Sequence, residues 1–309
     1  MKKYILTLFF SLYVYHQGFA CINGDYLELA DASFLYEDPI RNVPYGHEIN
    51  RKELTATLLR MDSLYKRTND IAYLSDKGLV LIFLGRYQEA INIYLEIELS
   101  RPDRYITAAN LGTAYELAGQ NEKALLWIKR AVKIDPGSHH GSEWIHVRIL
   151  EAKIKGANYV NSQYLLKTNF GDGAIPYSTY SEEQLSDLFN ALYYQLNERN
   201  TFVKPKDDIV AVLLYDLGNI AFLINNFKDA MRIYQLAKKY GFDPKLCDER
   251  IIEAATYLKL GKKVDRTQKV PISKLRQSTK ANYYLVGVPI VLIAVGVVIY
   301  IRRKKRRSI

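Results

Sequence analysis

The chain has 309 residues, 49% hydrophobic and 25% charged, with a formal net charge of +10. Lys2 and Lys3 precede the first apolar run and Arg302, Arg303, Lys304, Lys305, Arg306 and Arg307 follow the last, so the residues between are close to neutral. A nucleic-acid domain carries its cations on its folded surface, so the charge excludes that partner despite a sequence pI near 9.3.

Residues 1–20 read as a signal peptide: two lysines, the apolar run "YILTLFFSLYVY", and small residues around a cleavage point after Ala20. The run is short for a bilayer span, and an uncleaved anchor is the alternative. Cys21 raises lipidation, but "GFAC" lacks the branched aliphatic residue of a bacterial lipobox and carries the bulky Phe19. Residues 50–67, "NRKELTATLLRMDSLYKR", predict a leading helix.

Residues 71–104 and 105–138 align without a gap at a period of 34. Gly78 matches Gly112, Gly85 matches Gly119, Ala90 matches Ala124, Tyr94 matches Ile128, Ile97 matches Ala131 and Pro102 matches Pro136. A third unit, 211–244, fits through Leu217, Gly218, Phe227, Ala230, Tyr234 and Ala237, with Asn225 at the turn glycine and its proline displaced to Pro244. Asn tolerates the left-handed backbone such a turn needs. The small residues let two helices approach, and Tyr94, Ile128 and Tyr234 are expected to fill the space between neighbouring pairs. This pattern resembles the tetratricopeptide-repeat family, whose unit is a pair of antiparallel helices.

Between the second and third units, Ser142 is a candidate N-cap for a helix over 142–154, and Ser181 with Gln184 has capping-box spacing for a helix over 181–200. These read as a degenerate helix pair, 139–206, with a long loop 155–180 expected to project from one face. Residues 244–261 predict a capping helix. The basic stretch 262–281 reads as a juxtamembrane linker. Residues 283–301, "YYLVGVPIVLIAVGVVIYI", carry no charge and reach about 28 Å as a helix, one hydrocarbon thickness. The six cations of the tail 302–309 hold its cytoplasmic end. The expected fold is all-α: a curved solenoid of helical hairpins over 21–261, with little or no sheet, a signal peptide and one C-terminal transmembrane helix. The expected location is a bacterial inner membrane, single-pass, with the repeats periplasmic. In this arrangement the chain looks like repeat proteins of the Bacteroidetes.

The chemistry-bearing residues are sparse. His139, His140, Glu143 and His146 form the densest group of ligand types, but their spacing matches no metal motif, and a polar loop ahead of a helix is the plainer reading. No P-loop, GxSxG or Rossmann fingerprint is present, so neither an enzyme nor a cofactor is expected. "GDG" at 171–173 is a turn signal, Asp207 and Asp208 serve a helix N-terminus, and Cys247 is expected to be buried and inert, although a disulfide with Cys21 is open.

The resemblance implies a peptide-binding concave face lined by the first helix of each pair. On this chain that is Ser75, Leu79, Ile82 and Phe83, then Ala109, Thr113, Glu116 and Leu117, then Tyr215, Asn219, Phe222 and Leu223. Related chaperone receptors clamp a carboxylate with Lys, Arg and Asn; only Asn219 keeps such a residue, which favours an apolar groove. Equally, Leu79, Ile82 and Phe83 could pack on the leading helix. The expected function is a membrane-anchored scaffold binding another protein or peptide. An envelope enzyme or metal protein using 139–180, and a ligand-sensing subunit signalling through a membrane partner, are the alternatives.

Overall fold

The structure is a computed structural model describing residues 26–267. The signal segment 1–20, Cys21, the apolar run 283–301, the tail 302–309 and most of the linker lie outside the described residues. The chain falls into two compact units: residues to Arg41 with Tyr45–Ile154, and Asn42–Pro44 with Lys155 onward.

Unit 1 opens with an antiparallel hairpin, β1 (Tyr26–Glu28) and β2 (Phe34–Glu37), with Leu27 opposite Tyr36. This corrects the expectation of a helical array over the same stretch. Strands this short are marginal alone, and their support comes from remote residues. Leu27, Leu35 and Tyr36 are buried. Asp76 Oδ2 accepts the Ala30 N–H at 2.6 Å, and Arg60 Nε donates to Asp31 Oδ2 at 2.7 Å.

The helices α1 (Leu54–Thr68), α2 (Ile71–Phe83), α3 (Tyr87–Ser100), α4 (Tyr105–Leu117), α5 (Asn121–Ile134), the single turn α6 (Ser138–Gly141) and α7 (Glu143–Lys155) follow. Successive helices from α1 to α5 pack on one another. Asp70 starts α2 by accepting the Ala72 N–H. Gly85 and Gly119 turn the chain between paired helices at φ 77° and 76°, a left-handed conformation that glycine adopts without strain.

The matched glycines inside the helices have a different reason. A Cβ on Gly78 would sit 2.8 Å from the Tyr94 ring, and one on Gly112 would sit 2.4 Å from Ile128 Cδ1. Tyr94 and Ile128 therefore fill the contact within their own pair, and the Tyr94 hydroxyl also reaches the neighbouring pair, accepting from Asn110 Nδ2 at 3.1 Å. Tyr94 also donates its hydroxyl to the Ser75 carbonyl at 3.0 Å, so a buried polar tip is satisfied.

Unit 2 contains a 3-10 turn (Ala157–Tyr159), α8 (Ser162–Leu166), α9 (Glu182–Phe202), α10 (Asp208–Leu223), α11 (Phe227–Tyr240) and α12 (Pro244–Leu260). The α10/α11 pair repeats the device: a Cβ on Gly218 would sit 2.6 Å from Tyr234 Cε1, and Asn225 takes φ 65° at the turn. Ser181 and Gln184 form the expected capping box on α9. Asp207 accepts the Val210 N–H at the start of α10. Apart from the hairpin, the regular structure of the described residues is helical.

Three local expectations change. Ser142 has helical backbone angles, φ −87° and ψ −11°, where an N-cap is extended. The 155–180 stretch is no projecting loop: Leu165, Leu166 and Phe170 are buried, and α8 packs on α10. The first residues of the linker are fastened to unit 2, because Val264 N–H donates to Asn225 Oδ1 at 2.9 Å and the Arg266 carbonyl accepts the Ser178 N–H at 2.8 Å.

Candidate functional site

Eleven of the twelve positions assigned to the concave face are buried, and Leu117 is half-buried. In unit 1, α2 lies under α1, α3 and part of α4, so Ser75, Leu79, Ile82 and Phe83 belong to the core. Ala109 joins Ala108 and Ala131 in a small-residue contact between α4 and α5, and Thr113 is buried on the same helix. In unit 2, α8, α9 and α11 all pack on α10, which carries Tyr215, Asn219, Phe222 and Leu223. Asn219 Oδ1 accepts the Tyr234 hydroxyl at 2.9 Å, so its amide serves the interior and clamps no ligand. Side chains this buried offer no surface to a peptide.

Glu116 is the exception in chemistry. It meets the histidine cluster, from which it is remote in sequence. Lys153 Nζ donates to Glu116 Oε1 at 2.6 Å, and His146 Nε2 donates to Glu116 Oε2 at 2.6 Å. On the other side, His146 Nδ1 lies 3.5 Å from Glu143 Oε2. His139 Nδ1 lies 2.5 Å from Glu143 Oε1 and 2.8 Å from the Tyr105 hydroxyl. The result is a polar chain across unit 1, Tyr105–His139–Glu143–His146–Glu116–Lys153, with its middle buried. Carboxylates only accept, so His146 carries a proton on Nε2, toward Glu116.

Burial alone would raise the Glu143 carboxyl; the hydrogen bonds and charges of His139 and His146 outweigh it and hold the group well below the usual carboxylate range. His139 sits at φ 56°, a left-handed conformation costly for a side chain with a Cβ. His140 lies beside it in α6. The ring nitrogens of His139 and His146 face carboxylates and a phenol, not one open point. Among the described residues no three His, Cys, Asp or Glu side chains are placed to hold a metal ion. The arrangement is suited to fastening α6 and α7 onto α4. One signal for it was in the sequence: Tyr105 and His139 are 34 residues apart, the repeat period itself.

Unit 2 buries a second polar group around Arg250, which is 0% exposed. Its Nε donates to the Tyr215 hydroxyl at 3.1 Å and its Nη2 to the Gly171 carbonyl at 2.6 Å, fixing the "GDG" turn. Burial pushes Asp216 up to about 7, against hydrogen bonds from Ser162 and Asn219 and the charge of Arg250. The neutral acid thus contributes stability that is full below its ordinary 3.8 and lost as pH rises through about 7. The Asp216→Asn chain, neutral throughout, should lose less stability than wild type between about pH 5 and about pH 8. Thermal melts by circular dichroism test this; parallel losses in the two chains would show that Asp216 is not the titrating group. Burial likewise pushes the Cys247 thiol up to about 12, which leaves it unreactive.

With these helix pairs in view, one stretch can be compared with known families. The tetratricopeptide repeat family model matches residues 75–139, from within α2 to α6. Over that stretch the chain is similar to tetratricopeptide repeats. A tetratricopeptide repeat protein from Parabacteroides merdae ATCC 43184, solved by crystallography, is 14% identical, with 67% of this chain and 94% of that chain covered at a TM-score of 0.33. No curated protein matches the chain. The 34-residue period accounts for the matched glycines and alanines, whereas the Glu116–His146–Glu143 chain is an addition built on the helix packing.

Proposed function

We propose that the protein is a non-enzymatic scaffold for protein–protein contact, held at a bacterial inner membrane with its repeats on the periplasmic side, and used in envelope assembly or maintenance. The observation that carries this reading is the gapless 34-residue period over 71–138, whose matched positions serve helix packing. Anchoring is supported by the uncharged 283–301 run and the six cations after it. No helix among the described residues is long and apolar enough to cross a membrane, and that run lies outside them. No observation favours a metal-dependent use of 139–180, since His139 and His146 face Glu116, Glu143 and Tyr105.

Because the assigned concave positions are core, contact with a partner in unit 1 falls to its outer surface. Leu99 on α3 and Leu126 on α5 are 89% and 68% exposed. Photo-crosslinking in cells from probes at these two positions should capture one recurrent protein from both, in a membrane fraction that resists alkaline extraction. Crosslinks to the chain alone would sink the scaffold reading, and release of the protein by alkali would sink the anchor.

A further inference from the structure

Unit 2 is completed by three residues remote in sequence, Asn42–Val43–Pro44. They are held as a peptide ligand is held. Asn42 Nδ2 donates to Asp229 Oδ2 on α11 at 2.9 Å, across 187 positions. Val43 is 3% exposed. Asn200 Nδ2, on α9, donates to the Pro44 carbonyl across 156 positions. A side-chain amide and a main-chain carbonyl are thus read by two helices, with a buried branched side chain between them. The proline predisposes Val43 to an extended backbone, which lowers the ordering cost of docking.

Two further features separate this segment from an ordinary core strand. Its neck is closed by bonds of its own: His47 Nδ1 lies 2.7 Å from Asp38 Oδ2, the Glu48 N–H donates to Asp38 Oδ1 at 3.0 Å, and Arg41 Nη2 donates to the Gly46 carbonyl at 3.0 Å. The tripeptide is therefore the tip of a preformed loop. Moreover, Asn200 is 3% exposed and its Oδ1 has no hydrogen-bond partner, so the seat keeps an acceptor that the resident segment does not use.

We propose that the Asn200/Asp229 seat is a docking site for an extended segment of the type Asn–branched apolar–Pro, closed in cis by the chain's own residues 42–44. Partner segments of that chemistry compete with the resident loop, which makes the loop an internal inhibitor. The inference goes beyond the scaffold reading and does not depend on the crosslinks at Leu99 and Leu126, which probe unit 1, so the two fail separately.

The test uses the full chain in detergent and a fluorescein-labelled peptide of residues 38–48, read by fluorescence polarisation. Val43→Asp puts a charge at a buried position and expels the loop. A site closed in cis binds in proportion to its open fraction, so the peptide should bind this variant at least about tenfold more tightly than wild type. Adding Asn200→Ala or Asp229→Ala should abolish the gain. Should Val43→Asp fail to fold by circular dichroism, Asn42→Ala with Pro44→Gly loosens the same seat without a charge and is read by the same criteria. Equal binding to wild type and a folded opened variant, or binding that survives Asn200→Ala and Asp229→Ala together, overturns the proposal and leaves 42–44 as a structural splice.

Discussion

Replacing Gly112 with alanine should destabilise unit 1 although alanine is the better helix former. The added methyl would sit 2.4 Å from Ile128 Cδ1, 2.6 Å from Cγ1 and 3.3 Å from the Ile128 backbone nitrogen. A side-chain rotation can relieve the first two contacts but not the third, so α4 and α5 must separate. Overpacking of this kind costs about 1–3 kcal/mol, which exceeds the roughly 0.5–1 kcal/mol that alanine gains over glycine within a helix. Urea unfolding read by tryptophan fluorescence is suited to the measurement, because Trp127 and Trp144 both lie in unit 1. The control is the pair. Ile128→Ala alone should cost about 2–5 kcal/mol, and Gly112→Ala added to it should cost clearly less than it does in wild type, because only the 3.3 Å contact with the backbone nitrogen remains. Additive losses would mean that the glycine is there for some reason other than the Ile128 contact.

His146→Leu should cost more, about 3–5 kcal/mol, because it takes the Nε2 donor from buried Glu116 and the imidazole from beside buried Glu143. Glu116 would keep Lys153 and Glu143 would keep His139; neither replaces the imidazole between the two carboxylates. The pH dependence identifies the cause. Since the folded Glu143 carboxyl is held below its ordinary 4.5, its contribution is present above 4.5 and is lost as pH falls through the folded value. The gap between wild type and His146→Leu should therefore narrow in acid. A gap that stays constant with pH would point to lost packing of the imidazole ring and not to lost charge compensation.

The repeats were legible because they repeat. A glycine facing a large residue sixteen positions later appears three times, as Gly78 with Tyr94, Gly112 with Ile128 and Gly218 with Tyr234. Small residues at fixed spacing carry that message without any neighbour being known. The capping box at Ser181 was equally local, since both its bonds close within four residues. What remained hidden depends on partners far away in the chain. The β1/β2 hairpin has three- and four-residue strands and relies on Asp76 and Arg60. The 155–180 stretch is polar enough to read as a loop, yet Leu165, Leu166 and Phe170 turn inward and Arg250 holds its turn. The concave face follows, in the sequence, from the first helix of each pair. Nothing in Tyr215 or Ile82 themselves reveals that neighbouring helices cover them. The polar chain was half visible: His139, Glu143 and His146 lie close in sequence, whereas Glu116 and Lys153 join only when α4 and α7 meet.

The seating of Asn42–Pro44 also orders events in time. Contacts within each helix pair join residues about sixteen apart and can form as soon as the second helix exists. The seat on α9 and α11 must instead wait for residues 200 and 229, while its occupant leaves the ribosome first. Unit 2 is thus assembled from local pieces and closed by long-range contacts, of which the Asn42–Asp229 bond spans 187 positions. A growing chain therefore presents an unfilled seat until its own beginning returns to it.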